Sequence, residues 1–184
     1  MTRWMVPVAL AACLFTALPA AASTMPRADF GGINARYFGI GIGNGLGVSL
    51  DVALNRQFSL GGSIGSGVLG TIEANRYDIR GLYAFVPGGR RNLSIAGILG
   101  LWGGTSYSTQ YLEVGVGLAY PFTPLLTGRL NLVVPFYGLL AGPYYNTWGG
   151  PAGGIELAYK FQPHLEGTIG SNGQGNLLGL KLDF

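Results

Sequence analysis

Apolar residues alternate with small or polar residues along most of the chain beyond residue 36. From Leu46 to Leu54, leucine or valine occupies every even position, while glycine, serine, aspartate or alanine occupies every odd one. A period of two residues is that of a β-strand whose two faces meet different surroundings. The same pattern recurs, less regularly, over Phe58–Gly65, Tyr77–Phe85, Leu93–Leu101, Leu112–Tyr120, Leu126–Phe136, Ile155–Phe161 and Leu178–Phe184. With the weaker segments Tyr37–Gly43 and Leu165–Ser171, the pattern predicts ten strands, or eight if the two weaker segments do not form strands.

The links between these segments differ in length on the two ends of the predicted strands. The three-residue links 55–57 and 162–164 keep the apolar residues on one face, whereas the links 66–76, 102–110 and 137–152 are longer. Short turns at one end and longer loops at the other are typical of transmembrane β-barrels. At the first hairpin, a two-residue Asn44-Gly45 turn would break the alternation, so we expect a three-residue loop that includes Leu46.

Composition indicates which surroundings the strands meet. Charged residues make up 10% of the chain, against about 25% in typical soluble domains, and 33 residues are glycine. No segment beyond residue 22 is long and apolar enough for a membrane-spanning helix, so an apolar environment would require a closed barrel. The predicted fold class is therefore all-β, an antiparallel up-and-down transmembrane β-barrel. A soluble exported β-sandwich or lipocalin-like barrel is the alternative. It would carry Lys, Glu, Thr and Gln on the polar face, where this chain has mostly Gly, Ala and Ser.

Aromatic residues concentrate near the short links, where the interfacial girdle of a barrel is expected. They are Phe58, Tyr83, Phe85, Tyr120, Phe122, Tyr159, Phe161 and Phe184.

The first 22 residues have the features of a secretory signal peptide. Arg3 precedes an apolar run from Trp4 to Leu18, and small residues precede Ser23. Lipidation of Cys13 is the alternative. The predicted organisation is a signal peptide over 1–22, a leader or plug over 23–35, and an outer-membrane barrel domain over 36–184. Residues 23–184 contain no cysteine, so no disulfide framework is expected.

Most charged residues of the predicted strands share the glycine-rich face. The six acidic and four basic residues are Asp51, Asp78, Arg80, Glu113, Arg129, Glu156, Lys160, Glu166, Lys181 and Asp183. Each arginine or lysine turned toward mid-bilayer lipid would cost about 2–4 kcal/mol, so this face is expected to line the lumen. There the charges either fill the barrel as a polar core or line an ion pathway.

Chemistry-bearing motifs are scarce. The single histidine, His164, falls in a predicted short turn, no Cys/His metal cluster exists beyond residue 22, and net charge is too low to favour nucleic acid. The sequence predicts no enzyme activity, no cofactor and no metal, and no feature specifies an oligomeric state. Tyr144, Tyr145 and Trp148 in the loop 137–151 could bind a ligand outside the cell or cap the lumen.

The last strand carries the most specific signal. Leu178, Leu180, Leu182 and Phe184 lie on one face, opposite Gly179, Lys181 and Asp183. This resembles the C-terminal assembly signal of bacterial outer-membrane barrels, and the whole pattern is similar to the small OmpA, OmpX and OmpW barrel families. The resemblance implies insertion into outer-membrane lipid by the barrel assembly machinery and implies no activity. The sequence therefore predicts a non-enzymatic outer-membrane protein, structural or a narrow passage for small solutes. An outer-loop binding or adhesion protein is the alternative, and a membrane-embedded enzyme is a weaker one.

Overall fold

A computed structural model of the chain describes residues 26–30, 36–43, 45–67, 75–88, 92–104, 110–138, 152–171 and 176–184. These ranges contain ten β-strands. In chain order they are β1 Arg36–Gly43, β2 Gly45–Ala53, β3 Phe58–Gly67, β4 Asn75–Val86, β5 Ser94–Gly104, β6 Tyr111–Pro121, β7 Leu126–Gly138, β8 Ala152–Gln162, β9 Leu165–Ser171 and β10 Asn176–Asp183. The described ranges hold no helix of the length and apolarity needed to cross a membrane. The predicted signal peptide and Cys13 lie outside these residues.

The strands form one closed antiparallel barrel in which each strand pairs with its neighbours in the chain and β1 pairs with β10. Ile40 lies opposite Leu180 at the closing seam, and Leu182 of β10 lies opposite Leu165 of β9. The predicted fold class is confirmed, with ten strands rather than eight. Both weaker segments form strands because they complete the seam between β8 and β2, where their backbone groups find partners on both sides.

Short turns lie at the barrel end where β1 begins and β10 ends, which we call the short-turn end. The turn 54–57 is closed by Asn55, whose side-chain oxygen accepts hydrogen bonds from the backbone N–H groups of Gln57 and Phe58, both at 2.8 Å. Thr123 accepts equivalent bonds in the turn 122–125. At the same end, the backbone N–H of Phe184 donates to the carbonyl of Arg36 at 3.0 Å.

The first hairpin differs from the prediction by one residue. Ile42 pairs with Leu46, so three residues, 43–45, separate the last paired positions, and Leu46 belongs to β2. The expected loop that included Leu46 was wrong. A three-residue loop keeps Ile42 and Leu46 both on the outside, which satisfies the alternation that excluded the two-residue turn.

The two faces of the barrel wall differ as the alternation predicts. Large apolar side chains point outward and stay accessible, for example Ile64 at 64% and Ile79 at 65%. Their neighbours Ser63 and Asp78 point inward and are 4% and 3% exposed. An apolar outer surface around a polar interior is the reverse of a soluble barrel and fits a lipid environment.

Aromatic pairs ring the outside near the short-turn end. Tyr and Phe two residues apart make edge-to-face contacts with ring centroids 5.4 Å apart at Tyr83 and Phe85, and 5.3 Å apart in the other two pairs. The other pairs are Tyr120 with Phe122 and Tyr159 with Phe161. Each Phe ring covers a glycine of the next strand: Phe85 covers Gly97, Phe122 covers Gly128 and Phe161 covers Gly167. The ring replaces the side chain that the glycine lacks and shields its backbone.

Small and apolar side chains fill part of the interior near the short-turn end. The buried apolar cluster comprises Tyr37, Ala53, Leu82, Ala84, Ala96, Ile98, Ala119 and Val133 of the wall, together with Ala28 and Phe30. Ala28 and Phe30 precede β1 in the chain and are buried among inward-facing residues of the wall. We call residues 26–30 the N-terminal segment. Leu82 and Ile98 are large apolar residues that point inward, against the general expectation that such residues face lipid.

Candidate functional site

The first group of charges lies across strands β2, β3 and β4, and we call it the Arg80 cluster. The Nη2 atom of Arg80 donates to both carboxylate oxygens of Asp51 at 3.1 and 3.2 Å, and Nη1 donates to Asp78 at 3.0 Å. The hydroxyl of Ser63 on β3 donates to the other oxygen of Asp78. One guanidinium group therefore joins β4 to β2 across the intervening strand β3.

Strand register explains how Arg80 reaches Asp51. Asp51 lies opposite Gly61, and Gly61 lies opposite Arg80, so the two charged residues flank a glycine on the strand between them. A β-carbon on Gly61 would collide with the Asp51 carboxylate. The same line continues through Gly100 to Glu113, whose carboxylate would lie 2.8 Å from a β-carbon added to Gly100. Glycine alternates with charge along this line because the charged side chains lie over the glycines.

The second group lies nearer the short-turn end and is centred on Arg129 of β7, so we call it the Arg129 cluster. Arg129 donates from Nη1 to Glu156 at 3.0 Å and to Glu166 at 2.6 Å, and from Nη2 to Glu166 at 2.9 Å. Lys181 of β10 donates to the same Glu156 oxygen at 2.7 Å. Strands β7 to β10 are therefore joined through buried charged hydrogen bonds, which are the stronger kind.

The N-terminal segment completes the Arg129 cluster. Arg129 donates from Nε and Nη2 to the two carboxylate oxygens of Asp29 at 2.9 and 3.0 Å. Arg27 donates to Asp183 at 3.0 Å, and its guanidinium carbon lies 4.2 Å from the centroid of the Tyr37 ring. The segment is thus held in the lumen by ion pairs to β7 and β10 and by a cation–π contact to β1.

The charged surroundings of Asp29 change its titration. Burial by itself would raise the pKa of Asp29, but the neighbouring guanidinium groups of Arg129 and Arg27 outweigh it and lower the pKa below the ordinary range of a carboxyl group. Asp29 therefore gains a proton only at a lower pH than an ordinary carboxyl group does.

The structure places the sequence-predicted lumen charges as follows. Eight are buried: Asp51, Asp78, Arg80, Glu113, Arg129, Glu156, Glu166 and Lys181. Lys160 is partly exposed near the end of β8, and the side chain of Asp183 is 26% exposed. Seven of them belong to the two clusters, and Glu113 lies on the line that continues from the Arg80 cluster. Ion pairing between strands requires that clustering, because a buried charge without a partner is costly.

The other predicted sites lie elsewhere. Leu178, Leu180, Leu182 and Phe184 all point outward and are accessible, while Lys181 between them is buried. His164 is exposed in the turn between β8 and β9. Tyr144, Tyr145 and Trp148 fall outside the described residues. Within the described part of the chain, no three His, Cys, Asp or Glu residues are arranged to hold a metal ion.

Sequence reasoning missed Arg27, Asp29 and Tyr37 as members of the site. Arg27 and Asp29 carry opposite charges in a segment named only as a leader or plug, and nothing in its local pattern identifies Asp183 or Arg129 as partners. Tyr37 did carry a signal, since the alternation of β1 places it on the same face as Gly39 and Gly41.

Glycine dominates the inward face away from the two clusters. Gly41, Gly45, Gly47 and Gly65 are inward and buried near the long-loop ends of β1, β2 and β3. Glycine brings no side chain into the lumen. On β1, β2 and β3 the wall toward the long loops is therefore lined by backbone.

A closed antiparallel barrel with an apolar outside, an aromatic girdle and a charged interior defines a transmembrane β-barrel of the outer-membrane type. No protein-family model matches the chain, and no curated protein matches it. Among solved structures, the chain is similar to a KdgM porin and to a KdgM porin in complex with disordered oligogalacturonate. In each case the sequence identity is 12%, the alignment covers 82% of this chain and 98% of the porin, and the TM-score is 0.42. Neither of these two structures supports the similarity to the OmpA, OmpX and OmpW families that the sequence pattern suggests. The strand pairing above establishes the ten-stranded closure independently of this likeness.

Proposed function

We propose that the protein is a non-enzymatic outer-membrane barrel whose lumen is a narrow passage for small solutes, obstructed by its own N-terminal segment. One observation carries the proposal. The residues that fill the lumen near the short-turn end include Ala28 and Phe30, which belong to a segment outside the barrel wall. A segment held by ion pairs can leave without breaking a strand pairing, whereas a polar core built only of wall residues cannot.

The charges on the wall indicate which solutes would pass. Leaving aside Arg27 and Asp29, the inward face carries the six acidic and four basic residues named above. A narrow lumen with an excess of negative charge concentrates cations, because low-dielectric walls focus the field. We therefore expect the passage to prefer cations over anions.

Lipid and the barrel assembly machinery are the proposed partners. The outward, accessible side chains of Leu178, Leu180 and Leu182 support this, since they form a continuous apolar face on β10 next to β1. The same outer surface supports a location in the outer membrane.

Planar-bilayer recording tests the proposal. The unaltered mature protein is compared with the double variant Arg27→Gln/Asp29→Asn, which removes both charges of the N-terminal segment and leaves the strands unchanged. We expect the variant to show a larger or more persistent current, with a reversal potential in a KCl gradient of the sign given by cation preference. Arg56→Gln, an exposed change in the turn 54–57, is the matched control and should behave like the unaltered protein. If neither the unaltered protein nor the folded double variant conducts, the lumen is a polar core and the role is structural.

A further inference from the structure

Arg129 presents a preformed carboxylate site. Its five N–H groups make five hydrogen bonds, three to Glu156 and Glu166 and two to Asp29. The three bonds to wall residues fix the orientation of the guanidinium group. The edge formed by Nε and Nη2 is left facing the lumen, where it binds both oxygens of one carboxylate. Such paired geometry is specific for planar carboxylates.

A cation site lies beside it. The guanidinium group of Arg27 donates to Asp183 at 3.0 Å, lies 4.0 Å from a Glu166 oxygen, and rests over the ring of Tyr37. All three of these partners belong to the wall, on β10, β9 and β1. The fit is incomplete, because the buried Nε atom of Arg27 has no hydrogen-bond partner among the described residues. The segment's cation is therefore bound less fully than its carboxylate.

The space between the two sites accepts a small side chain. Ala28 separates Arg27 from Asp29, and its β-carbon would lie 3.4 Å from a β-carbon added to Gly117 of β6. Glycine at this position of the wall leaves room for the residue between the two charges. The wall thus offers a carboxylate site, a cation site and a small apolar gap, in an order that matches the sequence Arg-Ala-Asp.

We propose that this part of the wall is a binding site for short zwitterionic peptides with a cationic group and a carboxylate two residues apart, and that the N-terminal segment is its tethered occupant. The proposal rests on the proposed passage and names the class of solute. Exchange of the segment for such a peptide leaves the charge of the site unchanged, since Arg27 and Asp29 cancel. A solute with only a cation would leave the Nε and Nη2 edge of Arg129 without a carboxylate, and a solute with only a carboxylate would leave Asp183 and Glu166 without the charge that Arg27 supplies.

The covalent link between the N-terminal segment and β1 lowers the apparent affinity of the site for an added peptide. A segment linked to the wall by a short stretch of chain acts at an effective concentration on the order of millimolar, so an added peptide must compete with it. Removing the two charges of the segment weakens this competitor while every wall residue of the site stays in place.

The test is equilibrium binding of acetyl-Arg-Ala-Asp-amide to the mature protein in detergent, measured by titration calorimetry. We expect Arg27→Gln/Asp29→Asn to bind the peptide at least about tenfold more tightly than the unaltered protein, because the competent site is no longer occupied. Arg56→Gln should bind like the unaltered protein. The peptide acetyl-Gln-Ala-Asn-amide, which has the same size without charge, should not bind measurably.

Two results would overturn the proposal. One is no binding of the charged peptide to the double variant while that variant keeps its heat-modifiable folded form. The other is equal binding of the charged and uncharged peptides. Bilayer recordings distinguish failure of the peptide site from failure of the proposed passage. Current without peptide binding overturns the peptide site alone, and peptide binding without current overturns the passage and leaves the site in place.

Discussion

Gly61 is a position at which the interior of the barrel leaves no room for a side chain. It lies on β3 between Asp51 and Arg80, and a β-carbon there would collide with the Asp51 carboxylate and lie 3.0 Å from the backbone oxygen of Leu50. In Gly61→Ala the aspartate must therefore swing away from Arg80. The strand itself has little freedom to move, because β3 is paired along its length with β2 and β4.

The size of the effect follows from the bonds that would be lost. Arg80 makes three contacts with Asp51, at 3.1, 3.2 and 3.3 Å, and hydrogen bonds between charged groups contribute about 1.5–3 kcal/mol each without being additive. Removing one partner of a buried pair costs about 3–5 kcal/mol, but here Asp78 stays bound to Arg80. Alanine also stiffens the unfolded chain, which offsets about 0.4–1 kcal/mol. We expect Gly61→Ala to lower the free energy of unfolding by about 2–4 kcal/mol.

Urea titration of the protein folded into liposomes measures this change. Gly153→Ala is the matched control, because it lies in strand β8 and a β-carbon there meets only a backbone oxygen at 3.9 Å. The double variant Asp51→Ala/Gly61→Ala removes the collision, so Gly61→Ala should cost much less in the Asp51→Ala background. Equal stabilities of Gly61→Ala and Gly153→Ala, or no coupling between Gly61 and Asp51, would refute the role given to this glycine.

Three further predictions use the same preparations. Leu130→Arg should lower the free energy of unfolding in liposomes by about 2–4 kcal/mol if the residue lies near mid-bilayer, while Asn131→Ser costs far less; equal tolerance would contradict the assignment of faces. Phe161→Ala should cost about 1–2 kcal/mol, because the ring contacts Tyr159 and covers Gly167, and an unchanged urea midpoint would argue against that contact. A carboxyl group whose pKa is lowered in the folded state contributes stability above its unfolded pKa of about 3.9, and that stability is lost as pH falls through the folded value. Bilayer current of the unaltered protein should therefore stay constant from about pH 8 to 5, and a rise in current within that window would contradict Asp29 as the anchor.

The strands and their faces could be predicted from sequence because both follow from a period of two residues. Arg129 and Leu130 are neighbours, yet one is 2% and the other 44% exposed. Leu165–Ser171 shows that even a weakly alternating segment forms a strand when its neighbours on both sides need partners. The period predicts ten strands, as the structure has, but it leaves eight open because the two weak segments alternate least clearly.

Contacts between distant residues could not be predicted in the same way. Leu82 and Ile98 point inward because their position in the alternation outweighs their hydrophobicity, and the space they fill exists only in the closed barrel. The pairing of Arg27 with Asp183 joins residues 156 positions apart, and no local pattern specifies it. The site was incomplete in the sequence reading for this reason, since four of the nine ion pairs among the described residues involve the N-terminal segment.

The separation of Arg27 from its partner also constrains the order in which the molecule can assemble. The groups that hold the N-terminal segment come from β1, β7, β9 and β10, so they come together only after the last strand has joined the first. Entry of the first residues of the described chain is therefore a late event of folding, although these residues are synthesised early. The complete set of contacts of Arg27 and Asp29 is therefore available only in the closed barrel.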